Sequence, residues 1–262
     1  MPVPADPRAV RTILETDRVW AVYALADLAP EYSAPAEWHV APQGRPALLL
    51  IYRAFRLPVL FAHGAVADVA PLLAEVADEP EFYLSVRPEI GALLRARGYA
   101  IPDERRMRRM LLDPRSWAPR DHSAVRLGPG DSEALARLYA DGDAAGEAPP
   151  FFDAGMLRHG VYYAVREGGA MVAAAGTHVL AEEEGVAGIG NVYTRRDRRG
   201  SGLASQVTSA VAAELLRMGI PTVALNVEES NAAAIRVYER LGFKRYCEYR
   251  EGKAVLRAGG GR

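Results

Sequence analysis

The sequence predicts an α/β protein: a mixed, mostly antiparallel central sheet flanked by helices, in two similar halves set in tandem. Three observations predict it. Segments of strand-like apolar pattern alternate with segments of helical period along the chain. The strand-like runs "VYYAVRE", "AMVAAAGTHVL" and "GIGNVYT" are joined only by a Gly-Gly turn and by the acidic tip "AEEEG", and connections that short pair strands antiparallel. The order β-α-β-α-β occurs on both sides of a polar, proline-rich stretch, Asp113 to Asp131, which reads as a linker.

Composition narrows the function classes. Half of the 262 residues are apolar, a quarter are charged and the net charge is −1, an ordinary globular balance without the basic field that nucleic-acid binding needs. The single cysteine, Cys247, has no intrachain disulfide partner, which fits a reducing compartment, and it reads as a small strand residue. "MPVPADPRAV" places prolines and an acid where an export signal needs an apolar core. The longest apolar run is broken by Arg53, Arg56 and Pro58, short of the roughly 20 residues of a membrane span. The expectation is therefore a cytoplasmic protein with neither nucleic acid nor membrane as a partner.

The N-terminal half, residues 1–118, reads as strand "ALLLIYRAF", strand "PVLFAH", helix "VADVAPLLAEVA", strand "EFYLSV", helix "PEIGALLRARG" and strand "RRMLLD". Trp20, Tyr23, Tyr32 and Trp38 are either core aromatics or the lining of an acceptor wall. The basic run "RARGYAIPDERRMRRM" reads as a solvated face or, alternatively, as a contact for an acidic substrate or partner. In the C-terminal half, 119–262, "SAVRL" is a short strand and "GPGDSEALARLYA" a turn and helix capped by Asp131 or Ser132. After a loop, "DGDAAGEAPPFFDAG", come the three strands already named. Leu203, Val207, Val211, Leu215 and Met218 then recur at helical spacing until Gly219 and Pro221 stop the helix. "PTVALNV" is a buried-type strand, "SNAAAIRVYERLGF" a helix capped by Ser230 or Asn231, and "KRYCEY" a final strand. Arg87–Tyr99 aligns on Asn231–Phe243 with Gly98 on Gly242, which reads as a diverged duplication. The alternative is a common βαβ order with an ordinary glycine helix stop.

The stretch "RRDRRGSGLAS", Arg195 to Ser205, sets four arginines beside small residues just before a helix. A helix start carries amides without intrahelical partners and a partial positive charge, so an anion belongs there. Small residues let an extended diphosphate approach the backbone, and arginines add bidentate contacts. The dinucleotide fingerprint fails, because Ser205 stands at its third glycine and Asn226 where its acid should follow; no G-x-x-x-x-G-K-[ST] loop exists either.

"RGSGLA" does match the coenzyme A loop pattern Q/R-x-x-G-x-G/A of the GNAT superfamily of N-acyltransferases, with Arg199, Gly202 and Ala204 at its defined positions. After the next strand the same family places N-x-x-A-x-x-x-Y-x-x-x-G-F, and here stand Asn231, Ala234, Tyr238, Gly242 and Phe243. The chain from Ala124 to Tyr249 thus resembles a GNAT domain, and "VYTRRDRRGSGLAS" resembles the glycine N-acyltransferase-like branch. The N-terminal half resembles a degenerate copy: it has no arginine-glycine loop, Leu94 stands where Tyr238 stands, and Arg87 where Asn231 stands.

The resemblance implies the GNAT fold and an N-acetyltransferase that moves acetyl from acetyl-CoA to a small-molecule or peptide amine by direct attack, with no metal. Val192, Tyr193 and Thr194 would run along the pantetheine, where the strand splays from "ALNV", and an N–H near Val192 or Tyr193 would polarise the thioester carbonyl. The amides of Gly200, Ser201, Gly202, Leu203, Ala204 and Ser205 would hold the diphosphate with Arg199, and Asn231 would contact the coenzyme or simply cap its helix. Tyr238 would be the general acid for the departing thiolate, or a packing residue. Glu228, Glu229 and His178 are candidate bases that each also read as ordinary residues. Asp141, Asp143 and Glu147 suggest a cationic acceptor. The N-terminal half would cover the acceptor site or form a homodimer surface. The reading of another class is a non-catalytic acyl-CoA sensor.

Overall fold

Residues 5–42, 45–75, 79–121, 123–149 and 151–257 are described by the computed structural model. Their contacts divide the chain into two units that are not contiguous in sequence. Unit 1 takes the chain up to Arg109, Glu228–Ser230 and the chain from Cys247 on; unit 2 takes Met110–Val227 and Asn231–Tyr246.

Unit 1 opens with helices α1 (Pro7–Leu14), α2 (Val22–Ala26) and α3 (Pro30–Ser33), followed by strands β1 (Ala36–Val40), β2 (Leu48–Tyr52) and β3 (Val59–His63). Helix α4 (Val66–Glu75), β4 (Glu81–Val86), α5 (Pro88–Ala96), β5 (Tyr99–Ala100) and β6 (Arg105–Leu112) follow, β6 passing its last three residues to unit 2. Strands β1, β2 and β3 pair antiparallel, and β3 runs parallel to β4 from Val59↔Tyr83 to Phe61↔Ser85. On its other side β4 pairs antiparallel with the chain's last strand, Arg250↔Val86 to Val255↔Glu81. The "EFYLSV" alternation is the reason β4 packs as it does: Phe82, Leu84 and Val86 are buried while the residues between them are half-buried.

The sequence reading assigned no element before "ALLLIYRAF", yet α1 to α3 and β1 lie there. Helix α1 starts where Asp6 accepts a hydrogen bond from the Arg8 amide (3.1 Å) and Pro7 occupies the first turn. Helices α2 and α3 are five and four residues long, too short to display a period.

The basic run is also not uniformly solvated. In β6, Arg109 is 1% exposed. Its guanidinium lies 4.8 Å from the Trp20 ring centroid and 5.1 Å from those of Tyr23 and Tyr249, and it donates to the Trp20 carbonyl. Trp20 itself is a core residue, 2% exposed, whose indole N–H donates to Ala62 O at 3.1 Å.

Unit 2 contains β7 (Val125–Arg126), α6 (Ser132–Ala140), α7 (Met156–His159), β8 (Tyr162–Glu167), β9 (Ala170–Ala181), β10 (Val186–Thr194), α8 (Leu203–Arg217), β11 (Thr222–Glu228), α9 (Ala232–Arg240) and the start of β12 (Phe243–Leu256). Strand order is β6-β11-β10-β9-β8-β7, antiparallel from β10 through β7, with β10 and β11 parallel. The class is the predicted one: a mixed, mostly antiparallel sheet flanked by helices. Leu203, Val207, Val211 and Leu215 of α8 are buried in one cluster with Ile189, Val223 and Leu225, each fully buried side chain contributing roughly 1.5–3 kcal/mol. Leu135, Leu138 and Tyr139 of α6 form a second cluster with Tyr162, Ala174 and Tyr193. The final strand runs on through "REGKAVL", longer than the predicted "KRYCEY", because its later residues pair with β4.

Candidate functional site

Strands β10 and β11 are paired only from Val186↔Thr222 to Ile189↔Leu225, although β10 runs on to Thr194 and β11 to Glu228. The ladder therefore opens where the resemblance implied a splay. On its other edge β10 is bulged: Gly190 faces Gly176 and Tyr193 faces Ala174, which leaves Asn191 and Val192 opposite Ala175 alone. Asn191 sits at φ 51, the one described non-glycine residue with positive φ. The bulge turns Val192 half-exposed and Tyr193 into the core, where its phenol donates to Asp141 Oδ2 at 2.9 Å.

Beyond Thr194 the chain makes a tight turn at Arg196–Arg198 and passes through Gly200 and Gly202, both at φ +82, before entering α8. A side chain at either glycine would be strained, and around each the space is open. The first turn of α8 thus presents its amides beside an uncluttered backbone. Leu203 is buried, so only its main chain is available, while Ala204 and Ser205 are half-buried.

The loop's charges are internally matched. Arg199 reaches Glu147 with two N–H groups (2.6 and 3.3 Å) and lies 5.7 Å from the Tyr193 ring centroid. Arg198 pairs with Glu167 at 2.9 Å and Arg195 with Asp197 at 2.6 Å. The Ser201 hydroxyl donates to the Arg198 carbonyl. Asp141 accepts from the Arg196 amide at 3.0 Å as well as from Tyr193, and these bonds hold its carboxyl below the usual carboxylate range. Glu147 is lowered likewise by Arg199. Two of the three carboxylates expected to attract a cationic acceptor, Asp141 and Glu147, are engaged in holding this loop.

Helix α9 brings in the second motif. Asn231 caps it, accepting from the Ala234 amide at 3.0 Å, which bears out the capping reading. Tyr238 is 7% exposed, its ring edge-on to Phe243 at 6.2 Å, and burial pushes its phenol up to about 12. Its hydroxyl is protonated at neutral pH. Tyr238, Leu203 and Val207 belong to one apolar cluster, and Val192 packs against that cluster.

The candidate bases are all engaged. Glu229 accepts from Arg108 at 2.9 Å and Glu228 from the Ser230 hydroxyl at 2.7 Å. His178 Nε2 is 2.8 Å from Asn191 Oδ1, and burial lowers the pKa of its ring. Asn191 itself was missed from the sequence. Its signal was an asparagine, a residue strands disfavour, in mid-strand after the glycines of "GIGN".

Against known proteins, the "Acetyltransferase (GNAT) family" matches residues 132–243. Residues 132–243, under half of the chain, thus match a GNAT acetyltransferase domain. A mycothiol acetyltransferase from Thermobispora bispora is 38% identical over 163 residues, 54% of this chain and 53% of that protein. A namesake from Streptomyces coelicolor is 38% identical over 100 residues, 37% of this chain and 29% of that protein. The chain thus spans about half the length, or less, of these curated relatives. Among solved structures, a GNAT-family protein from Novosphingobium aromaticivorans superposes with TM-score 0.62 at 25% identity, over 90% of this chain and 97% of its own. A tandem GNAT protein of the clavulanic acid biosynthesis pathway shares the fold, with TM-score 0.58 at 16% identity over 98% of both chains.

Proposed function

We propose that this protein is an acetyl-CoA-dependent N-acetyltransferase acting on a primary amine by direct attack. The observation that supports it most is the splayed β10–β11 pair leading through the glycine loop to α8, with Tyr238 packed on the same cluster. An extended diphosphate fits there: open space around Gly200 and Gly202, first-turn amides, and Arg199 able to exchange Glu147 for a phosphate. In this reading Val192, Tyr193 and Thr194 flank the pantetheine through their main chain, and the amides from Gly200 to Ser205 hold the diphosphate. Asn231 orders the start of α9 and contacts the coenzyme only secondarily.

In this reading the Val192 N–H, at the bulge where the β10–β9 register shifts, polarises the thioester carbonyl. The amine lone pair attacks the carbonyl carbon, the C–S bond breaks, and Tyr238 Oη passes its proton to the sulfur. The proton lost by the amine leaves through water, which returns a proton to the Tyr238 phenolate; the three carboxylate and imidazole candidates are held by other groups. Tyr238 supports catalysis over a ligand sensor, because ligand binding alone needs no buried, protonated phenol.

The finer parts of the reading are proposals of the same kind. The relatives' name makes a mycothiol-related amine the first acceptor to test. The glycine N-acyltransferase-like branch is supported by "VYTRRDRRGSGLAS" alone. Residues 1–118 are proposed as a GNAT-like half that has lost the coenzyme loop: its short parallel β3–β4 ladder parallels β10–β11, and Leu94 is core where Tyr238 would be. Residues 119–262 carry the catalysis, in a cytoplasmic setting and with no nucleic-acid partner. Incubating the full chain with acetyl-CoA and a panel of amines, with products weighed by mass spectrometry, tests the activity; N-acetylated product supports it, and none with any amine sinks it.

A further inference from the structure

The peptide between Asn191 and Val192 is gripped from several sides. Its carbonyl accepts from Tyr139 Oη at 2.8 Å. A trans peptide is planar, so a bond that fixes the carbonyl also fixes the N–H of Val192, which points the opposite way. The Asn191 side chain, 4% exposed, holds the same residue: Oδ1 lies 2.8 Å from His178 Nε2, and Nδ2 donates to Tyr162 Oη at 2.7 Å. Tyr162 Oη in turn lies 3.1 Å from the Thr177 carbonyl.

One proton arrangement satisfies this whole chain. The Thr177 carbonyl only accepts, so Tyr162 donates to it and takes its own hydrogen bond from Asn191 Nδ2; Oδ1 then faces His178, which donates from Nε2 as a neutral ring. Packing is shaped around the network. A Cβ on Gly176 would collide with the Tyr162 ring, and one on Gly190 with the His178 ring. Left-handed backbone at a non-glycine residue persists where surroundings over-determine it, and such sites cluster where geometry serves function.

We propose that Asn191, Tyr139, Tyr162 and His178 are positioning residues that aim and polarise the Val192 N–H at the acyl carbonyl. The inference rests on the acetyl-CoA reading above. It also removes His178 from the list of bases, because the ring's role is to donate to Asn191. Tyr139→Phe deletes one hydroxyl and keeps the ring; Asn191→Gly keeps the left-handed backbone and deletes the side-chain network.

The test is isotope-edited infrared difference spectroscopy of acetyl-CoA carrying ¹³C at the acetyl carbonyl, bound to the full chain, with the affinity for CoA measured in parallel. In the wild type the thioester C=O stretch is expected below its frequency in solution. In both variants at least half of that shift is expected to vanish, while the CoA affinity stays within about threefold. An undiminished shift in the variants overturns the positioning role, as does loss of CoA affinity in both. If wild type binds acetyl-CoA without any shift, the positioning inference fails and the coenzyme reading stands. If wild type binds no acetyl-CoA, both fall. Should Tyr139→Phe fail to fold, Asn191→Gly carries the test.

Discussion

Tyr238 combines a protonated phenol with a packed ring, and these separate on substitution. Tyr238→Phe keeps the contact with Phe243 and removes the proton, so kcat is expected to fall roughly 10²- to 10⁴-fold with CoA affinity unchanged. A variant with near-wild-type turnover would make the residue packing alone. With the phenol at about 12, its ionisation also leaves no alkaline limb in kcat below about pH 10. The places of Tyr238 on a helix and of Arg199 and Gly202 in the turn before one were legible in sequence because they follow from local spacing. Asn191 and Arg109 were not, because each is defined by partners distant in the chain: Tyr139 and Tyr162 for the first, Trp20 and Tyr249 for the second. A charge run cannot reveal from sequence that one of its arginines meets three aromatic rings.

At the scale of elements, caps and clasps hold the pieces that frame the site. Asn231→Ala removes the side-chain acceptor of the Ala234 amide at the start of α9, which should cost about 1 kcal/mol. For a chain of this size that is a drop of roughly 2–4 °C in Tm by calorimetry. A second clasp ties the segment after β6 to β12. Asp113 accepts from Lys244, from the Ser116 hydroxyl at 2.8 Å and from the Arg115 amide at 3.0 Å. Led by the Lys244 bond, these lower its carboxyl from 3.8 to about 2. A depressed carboxyl stabilises the fold above its unfolded pKa and ceases to do so as pH falls through the folded one. Asp113→Asn should therefore flatten the acid limb of stability between about pH 4 and pH 2 in denaturant titrations; an unchanged limb would show that the clasp is worth nothing measurable. The long periodic elements, α8 and α9 among them, were legible from apolar spacing, whereas α2 and α3 lack the length for any period to show.

For the whole molecule, the division into units crosses the order of the sequence. The chain from Cys247 on completes unit 1, where Arg250 to Val255 pair with β4 and Tyr249 packs 5.5 Å from the Trp20 ring. Ending the chain at Tyr246 should therefore unsettle unit 1 first, seen as a red shift in tryptophan emission as Trp20 becomes wet; a native spectrum would contradict the assignment. Sequence reading expected two similar halves but not this return of the last strand, since pairing partners so far apart leave no local pattern.

The central claim is that the loop from Arg199 to Ser205 holds coenzyme A. Isothermal titration of acetyl-CoA, CoA and NAD into wild type and Gly202→Glu tests it most directly, because the substitution strains a φ of +82 and fills the open space in front of α8. The expected result is micromolar binding of acetyl-CoA and CoA, none of NAD, and loss of both coenzyme signals in the variant. No binding of acetyl-CoA by the wild type, or binding that Gly202→Glu leaves intact, would contradict the account.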